Sequence, residues 1–86
     1  MTPEAQQLAE YISTEVIRRG QVRIEEDTPL VSSGLIDSLA LVEILAKLED
    51  VTRRRIPAGK VQPKDLDTVR MMLATAERVG KPRAGR

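Results

Sequence analysis

Apolar residues recur at helical spacing in three separate stretches of the chain. In the first stretch they are Ala5, Leu8, Ile12 and Val16. A spacing of three or four residues predicts an amphipathic helix. Thr2 supplies a capping hydroxyl, Pro3 suits the first helical position, and Gly20 favours an end to the helix. We therefore expect a first helix over about residues 3 to 18.

The second stretch predicts a helix over about residues 38 to 51 with two apolar faces. Its core face holds Leu41, Ile44, Leu45 and Leu48. At 100° per residue a different face holds Leu39, Val42 and Ala46. Asp37 or Ser38 is the expected cap, because both side chains accept hydrogen bonds from a first helical turn. Since Glu43 and Glu49 flank the second face, the helix is predicted to expose an apolar strip with an acidic rim.

A third stretch predicts the last helix. Its apolar positions are Val69, Met72, Leu73, Ala76 and Val79. Asp67 or Thr68 is the expected cap, and Gly80 is the expected end. A turn around Lys64-Asp65-Leu66 predicts a short helix just before it. With the first two helices, this gives three main helices and one short one.

Loops occupy most of the remaining chain. The connection from Gln21 to Asp37 contains turn residues separated by single apolar residues, which predicts a long loop that places side chains under the helices. Those apolar residues are Val22, Ile24, Leu30, Val31, Leu35 and Ile36. Residues 81 to 86 are basic and lack apolar periodicity. We expect one domain over residues 1 to 80 and a disordered tail over residues 81 to 86.

Composition narrows the classes of function. The 86 residues include no cysteine and no histidine, so the thiol nucleophile, the imidazole base and the usual zinc ligands are all missing. We therefore predict no metal site, no catalytic residues and no enzyme activity. No stretch approaches the roughly 18 apolar residues of a membrane span. The N-terminus has neither the basic start nor the apolar run of a secretory signal, so the cytoplasm is the expected compartment.

Charge is divided unevenly along the chain although the formal net charge is only +1. Residues 1 to 52 carry 10 acidic and 4 basic residues, and residues 53 to 86 carry 3 acidic and 10 basic residues. The acidic half includes the second helix, and the basic half begins with Arg53-Arg54-Arg55. This division predicts either two surfaces with opposite partners or one attraction within the molecule.

The segment Gly34-Leu35-Ile36-Asp37-Ser38-Leu39 carries the candidate chemistry. It places the Ser38 hydroxyl at a helix N-terminus, next to the exposed apolar strip. A helix N-terminus favours a phosphate group, because free N–H groups and the positive end of the helix dipole meet there. A serine hydroxyl accepts a phosphoryl group.

In these residues the sequence resembles the acyl and peptidyl carrier protein family. The resemblance covers nearly all of the predicted domain. The matching segments are Asp27-Thr28-Pro29-Leu30, Gly34-Leu35-Ile36-Asp37-Ser38-Leu39, Val42-Glu43-Ile44, Leu48-Glu49-Asp50, Ile56-Pro57 and Thr68-Val69. Val51-Thr52-Arg53-Arg54-Arg55 departs from the family, where many members have an aromatic residue and a glycine.

The resemblance implies an all-α, four-helix carrier-protein bundle of the stand-alone type. A phosphopantetheinyl transferase would attach 4'-phosphopantetheine from coenzyme A to Ser38, and the arm would hold acyl or aminoacyl groups as thioesters. The implied partner-binding residues are Asp37, Leu39, Val42, Glu43, Ala46, Glu49 and Asp50. The implied partners are that transferase, a loading ligase or acyltransferase, and downstream biosynthetic enzymes. A monomer is expected, since a tether visits several partners.

Alternatives to this interpretation remain open. Taken locally, a serine after an aspartate at a helix start is typical of a plain cap. The strip residues Leu39 and Val42 would be ordinary core if the helix were covered on both sides. Within carriers, an acyl role and an aminoacyl or peptidyl role are both open. Outside carriers, the chain would be a small interaction module that uses the basic region from Arg53 onward against an acidic protein or nucleic acid. Nucleic acid is the less favoured of these two partners, because no aromatic platform accompanies the arginines.

Overall fold

The computed structural model of the chain describes residues 1–17 and 23–82. The first helix, α1, spans Pro3–Tyr11 and continues as a π-helical turn over Ile12–Val16. The Thr2 hydroxyl accepts a hydrogen bond from the Ala5 N–H at 3.2 Å, which confirms the predicted cap. The end of the predicted helix at residue 18 and the terminal Gly20 lie outside the described residues.

The second helix, α2, spans Ala40–Thr52, so its regular part begins two residues later than predicted. Ser38 and Leu39 form a tighter turn before it, in which the Leu41 N–H donates to the Ser38 carbonyl at 3.3 Å. Of the two predicted caps, Asp37 makes the side-chain bond, accepting from the Ala40 N–H at 2.9 Å. The helix ends at Thr52, and the next residue, Arg53, has a left-handed φ of 55°.

The last helix, α3, spans Val69–Val79. Its cap is Thr68, whose hydroxyl accepts from the Met71 N–H at 3.0 Å. The predicted short helix is a 3₁₀ turn over Pro63–Leu66, and a second 3₁₀ turn covers Ala58–Lys60. The predicted all-α fold of three main helices and one short helix is therefore confirmed.

A two-stranded antiparallel pairing adds an element that periodicity did not predict. Strand β1 is Arg54–Arg55 and strand β2 is Lys81–Pro82, with Arg55 opposite Lys81. The predicted disordered tail begins at Lys81, yet its first two residues pair with β1. Residues 83–86 lie outside the described residues, and the division at residue 80 stays a prediction.

An aliphatic core joins the helices to the long loop. The buried apolar residues are Ala5, Leu8, Ala9, Ile12, Ile24, Leu30, Ile36, Leu41, Ile44, Leu48, Ile56, Leu66, Val69, Met72 and Ala76. Ile24, Leu30 and Ile36 come from the loop, which confirms that it places side chains under the bundle, whereas Leu35 is exposed and Val22 lies outside the described residues. Within the described part of the chain, no helix is long and apolar enough to cross a membrane.

Candidate functional site

The predicted attachment residue, Ser38, lies at the junction between the long loop and α2, and its side chain is exposed. Two bonds define the junction. The Asp37 carboxylate accepts from the Ala40 N–H, and the Ser38 carbonyl accepts from the Leu41 N–H. The Ser38 hydroxyl therefore stands in solvent beside the positive end of a 13-residue helix.

A compact turn delivers the chain to this junction. The Ile36 N–H donates to the Leu30 carbonyl at 3.1 Å, and both side chains are buried. Between them, the Ser33 hydroxyl donates to the Pro29 carbonyl at 2.6 Å. Gly34 has a φ of 83°, a conformation that side chains rarely adopt. The turn is closed at both ends before the chain reaches Ser38.

Asp67, which is 35 to 37 residues away in the sequence, holds this turn through its side chain. Its Oδ1 atom accepts from the backbone N–H groups of Leu30 at 3.2 Å, Val31 at 2.8 Å and Ser32 at 2.8 Å. Its Oδ2 atom accepts from the Ser32 hydroxyl at 2.8 Å. The bond from the Ser32 N–H contributes most to holding the pKa of Asp67 below its ordinary value, and burial opposes that shift.

Sequence reasoning missed this role of Asp67. It treated Asp67 and Thr68 as alternative caps of the last helix, and only Thr68 caps it. The one local signal is that two good cap residues stand together where a single helix needs one. Nothing in the neighbouring sequence identifies residues 30 to 32 as the hydrogen-bond partners of Asp67.

Arg70 fastens an earlier part of the same loop. Its guanidinium donates to both carboxylate oxygens of Asp27, at 2.8 and 3.1 Å, and its backbone N–H donates to the Glu26 carbonyl at 3.0 Å. The hydrogen bond from Arg70 lowers the pKa of the Asp27 carboxyl. Two consecutive segments of the loop are thus tied to the start of α3 or to the residues just before it.

The two apolar faces of α2 differ in burial as the pattern predicts. Ile44 and Leu48 have no exposed surface, whereas Leu39 is 82% exposed and Val42 is 72% exposed. Ala46 is exposed as well. The alternative in which Leu39 and Val42 belong to the core is therefore wrong, although their role with a partner stays a prediction.

The acidic residues that are predicted to bind partners lie in different environments. Asp37 and Glu43 are exposed, and Asp37 also caps the helix. Glu49 is half-buried, and its Oε2 atom accepts from the Ile56 N–H at 2.8 Å, so it fastens the segment after α2. Asp50 is exposed. Of the two residues that form the predicted acidic rim, Glu43 is therefore exposed and Glu49 is partly buried.

The basic segment after α2 does not acquire an aromatic platform. Arg53 and Arg55 are exposed, and β2 brings Lys81 opposite Arg55. The one aromatic residue of the chain, Tyr11, lies instead under the Lys47 ammonium, 5.3 Å from ring centre to Nζ. Among the described residues, no group of three or more acidic side chains is placed to hold a metal ion.

The family model of the phosphopantetheine attachment site matches residues 6–76 of this chain. The match includes the loop, the junction at Ser38, all of α2 and most of α3. No curated protein and no solved structure matches the chain.

Proposed function

Because this chain belongs to the phosphopantetheine attachment family, with the match extending over residues 6–76, we propose that it is a carrier protein whose arm is attached to Ser38. The chain is a carrier that holds 4'-phosphopantetheine covalently, as domains of this family do. The attachment residue, the cargo and the individual partners are the proposed part.

The observation that carries the choice of Ser38 is the state of the four serines in the chain. Ser13 is buried. Ser32 and Ser33 donate their hydroxyls to Asp67 and Pro29, respectively. Ser38 is the exposed serine at the start of a long helix, where a phosphodiester gains from the helix dipole. The residues at this junction therefore fit the group.

The attachment step is a phosphoryl-type transfer. The Ser38 oxygen forms a bond to the phosphorus that carries the pantetheine of coenzyme A, and the bond from that phosphorus to the bridging oxygen breaks. Adenosine 3',5'-bisphosphate leaves, and the hydroxyl proton passes to a base that the transferase supplies. The described residues of the chain hold the hydroxyl in solvent and fix the backbone on both sides of it.

The bound arm supplies a terminal thiol that holds an acyl or aminoacyl group as a thioester, in a protein that has no cysteine of its own. The protein contributes a tether, which raises the local concentration of the cargo at each partner. The chain is thus proposed to be non-catalytic, monomeric and cytoplasmic. The loading ligase or acyltransferase selects the cargo, and we favour an acyl group, with an aminoacyl or peptidyl cargo as the alternative.

The exposed strip on α2 supports a docking role for that helix. Leu39 and Val42 offer apolar contact close to Ser38, and Glu43 offers negative charge beside them. Charge steers association and apolar contact supplies short-range fit. We propose that the transferase and later enzymes contact Asp37, Leu39, Val42, Glu43, Ala46, Glu49 and Asp50.

Intact mass spectrometry tests the proposal directly. The purified protein is incubated with coenzyme A, magnesium and a broad-specificity phosphopantetheinyl transferase. Wild type and Ser33→Ala are expected to gain the mass of one phosphopantetheine, and Ser38→Ala is expected to gain none. Unchanged mass of the folded wild type with several such transferases would contradict the carrier function. Modification of Ser38→Ala would contradict the choice of residue.

A basic interaction module is the second candidate, and the exposed arginines around β1 are the observation behind it. It predicts binding to an acidic protein that weakens with salt and is lost when Arg53, Arg54 and Arg55 are neutralised, with no covalent modification. The absence of modification together with such binding would favour this candidate.

A further inference from the structure

Asp67 lies far from Ser38 in the sequence, yet hydrogen bonds join it to Ile36, two residues before Ser38. The carboxylate of Asp67 binds the N–H groups of residues 30 to 32. The carbonyl of Leu30 then accepts from the Ile36 N–H. Ile36 is two residues before Ser38, so the restraint that begins at Asp67 reaches the attachment residue through one closed turn.

The backbone on the other side of Ser38 is restrained independently. The Asp37 side chain bonds the Ala40 N–H, and α2 packs into the core through Leu41 and Ile44. Ser38 therefore lies between a helix that is packed into the core and a loop. The conformation of this loop depends on hydrogen-bond acceptors for the N–H groups of its backbone.

A carboxylate is well suited to that task. The N–H groups of Val31 and Ser32 converge on one oxygen of Asp67 at 2.8 Å each. The Leu30 N–H lies 3.2 Å from the same oxygen and makes its shorter bond, at 2.8 Å, to the Asp67 backbone carbonyl. Bonds to a charged acceptor are stronger than bonds to a neutral one. The helix that follows does not need this carboxylate, because Thr68 caps it. The depressed pKa of Asp67 is in keeping with a charged acceptor held by these donors.

We propose that Asp67 is a positioning residue for the modification of Ser38. It holds residues 30 to 36 in the conformation that presents the Ser38 hydroxyl to the transferase. This inference rests on the proposed function. When the carboxylate is lost, the loop samples other conformations. The apparent affinity of the transferase for the carrier then falls in proportion to the population of the loop conformation that presents Ser38.

The test compares two Asp→Asn variants made in neighbouring residues. Asp67→Asn removes the charge from the loop acceptor. Asp65→Asn is the matched control, since the bonds that the structure shows for the Asp65 carboxylate go to the Gln62 N–H at 2.8 Å and to the Arg78 guanidinium at 3.8 Å, and not to residues 30 to 36. Circular dichroism first establishes that both variants are folded. Both are then assayed with coenzyme A and one transferase, and amide hydrogen exchange is measured at residues 30 to 32.

Asp67→Asn is expected to raise the KM for the carrier about tenfold with kcat little changed, whereas Asp65→Asn keeps both near wild type. Exchange at residues 31 and 32 should accelerate in Asp67→Asn alone, whereas the Leu30 N–H keeps its bond to the Asp67 backbone carbonyl. Should Asp67→Asn fail to fold, Ser32→Ala removes only the bond to Oδ2 and is expected to shift KM in the same direction by less.

The outcomes separate the two hypotheses. If wild type is not modified at all, the proposed function fails. If wild type is modified and Asp67→Asn has the same KM as Asp65→Asn, the carrier function stands and the positioning role of Asp67 is overturned. Faster exchange in the loop without any change in KM would also overturn it, because the loop would then be ordered by Asp67 without effect on modification.

Discussion

Replacing Val42 by alanine should leave the protein as stable as wild type, because this side chain contributes to the surface of α2 and not to the core. Val42 is 72% exposed, so about a quarter of its surface gains from burial. At roughly 0.8 kcal/mol per buried methyl or methylene group, removing two methyl groups costs about 0.4 kcal/mol. Alanine is the better helix former by about 0.5 kcal/mol, and the two effects cancel.

The matched change on the buried face should behave differently. Ile44 has no exposed surface, and a buried isoleucine replaced by alanine costs about 2 to 5 kcal/mol. That is a large fraction of the roughly 4 to 13 kcal/mol expected for a domain of this size. If the alanine variant does not fold, Ile44→Val takes its place, with an expected loss of stability of about 0.5 to 1.5 kcal/mol.

The assay is urea denaturation followed by circular dichroism, which gives the free energy of unfolding for each variant. A loss above about 1 kcal/mol in Val42→Ala would refute the assignment of the exposed face. The same variant then reports on function. Since its stability is unchanged, a lower kcat/KM with the transferase measures docking on the α2 strip, and an unchanged value would contradict the docking role of Val42.

Three further predictions concern backbone and charge. Arg53→Gly should stabilise the protein by about 0.5 kcal/mol, because the relief of strain at the left-handed φ of 55° outweighs the conformational entropy that glycine loses on folding. Arg53→Ala is the control, and equal stability of the two variants in urea would refute the claim of backbone strain. Gly80→Ala should cost about 1 to 3 kcal/mol in the same assay, since the new Cβ would collide with the Ala76 carbonyl and press on Arg54. Gly34→Ala should cost less, because its new Cβ meets no neighbouring atom and only the backbone is strained. A larger loss of stability in Gly34→Ala than in Gly80→Ala would contradict the packing of α3 against β1. Because the pKa of Asp67 is lowered in the folded state, its contribution to stability is present above the ordinary carboxyl pKa and is lost as the pH falls through the folded pKa. The melting temperature should therefore fall less steeply with decreasing pH in Asp67→Asn than in wild type. Parallel curves of melting temperature against pH would argue against a charged acceptor.

The helices were predictable because their signals are local. The spacing of Leu8 and Ile12 in the first helix, or of Ile44 and Leu48 in the second, follows from the period of an α-helix and the need to bury one face. The exposed strip was predictable for the same reason. The start of α2 was misplaced by two residues, because capping preferences allow either Asp37 or Ser38 and the tight turn depends on the loop before it.

The sequence alone determined the number and order of the helices, the aliphatic character of the core, the absence of thiol and imidazole chemistry, and Ser38 as the candidate for attachment. The first three depend on residue types or on spacings of a few residues, whereas the choice of Ser38 rests on the resemblance to carrier proteins over nearly all of the predicted domain. Tertiary structure decided the rest: the carboxylate of Asp67 binds the loop, Glu49 bonds the Ile56 N–H, and β1 pairs with β2. The first and last of these pairings join residues distant in sequence, and in all three a polar group finds its partner only after the helices pack. Local preference alone does not specify such partners.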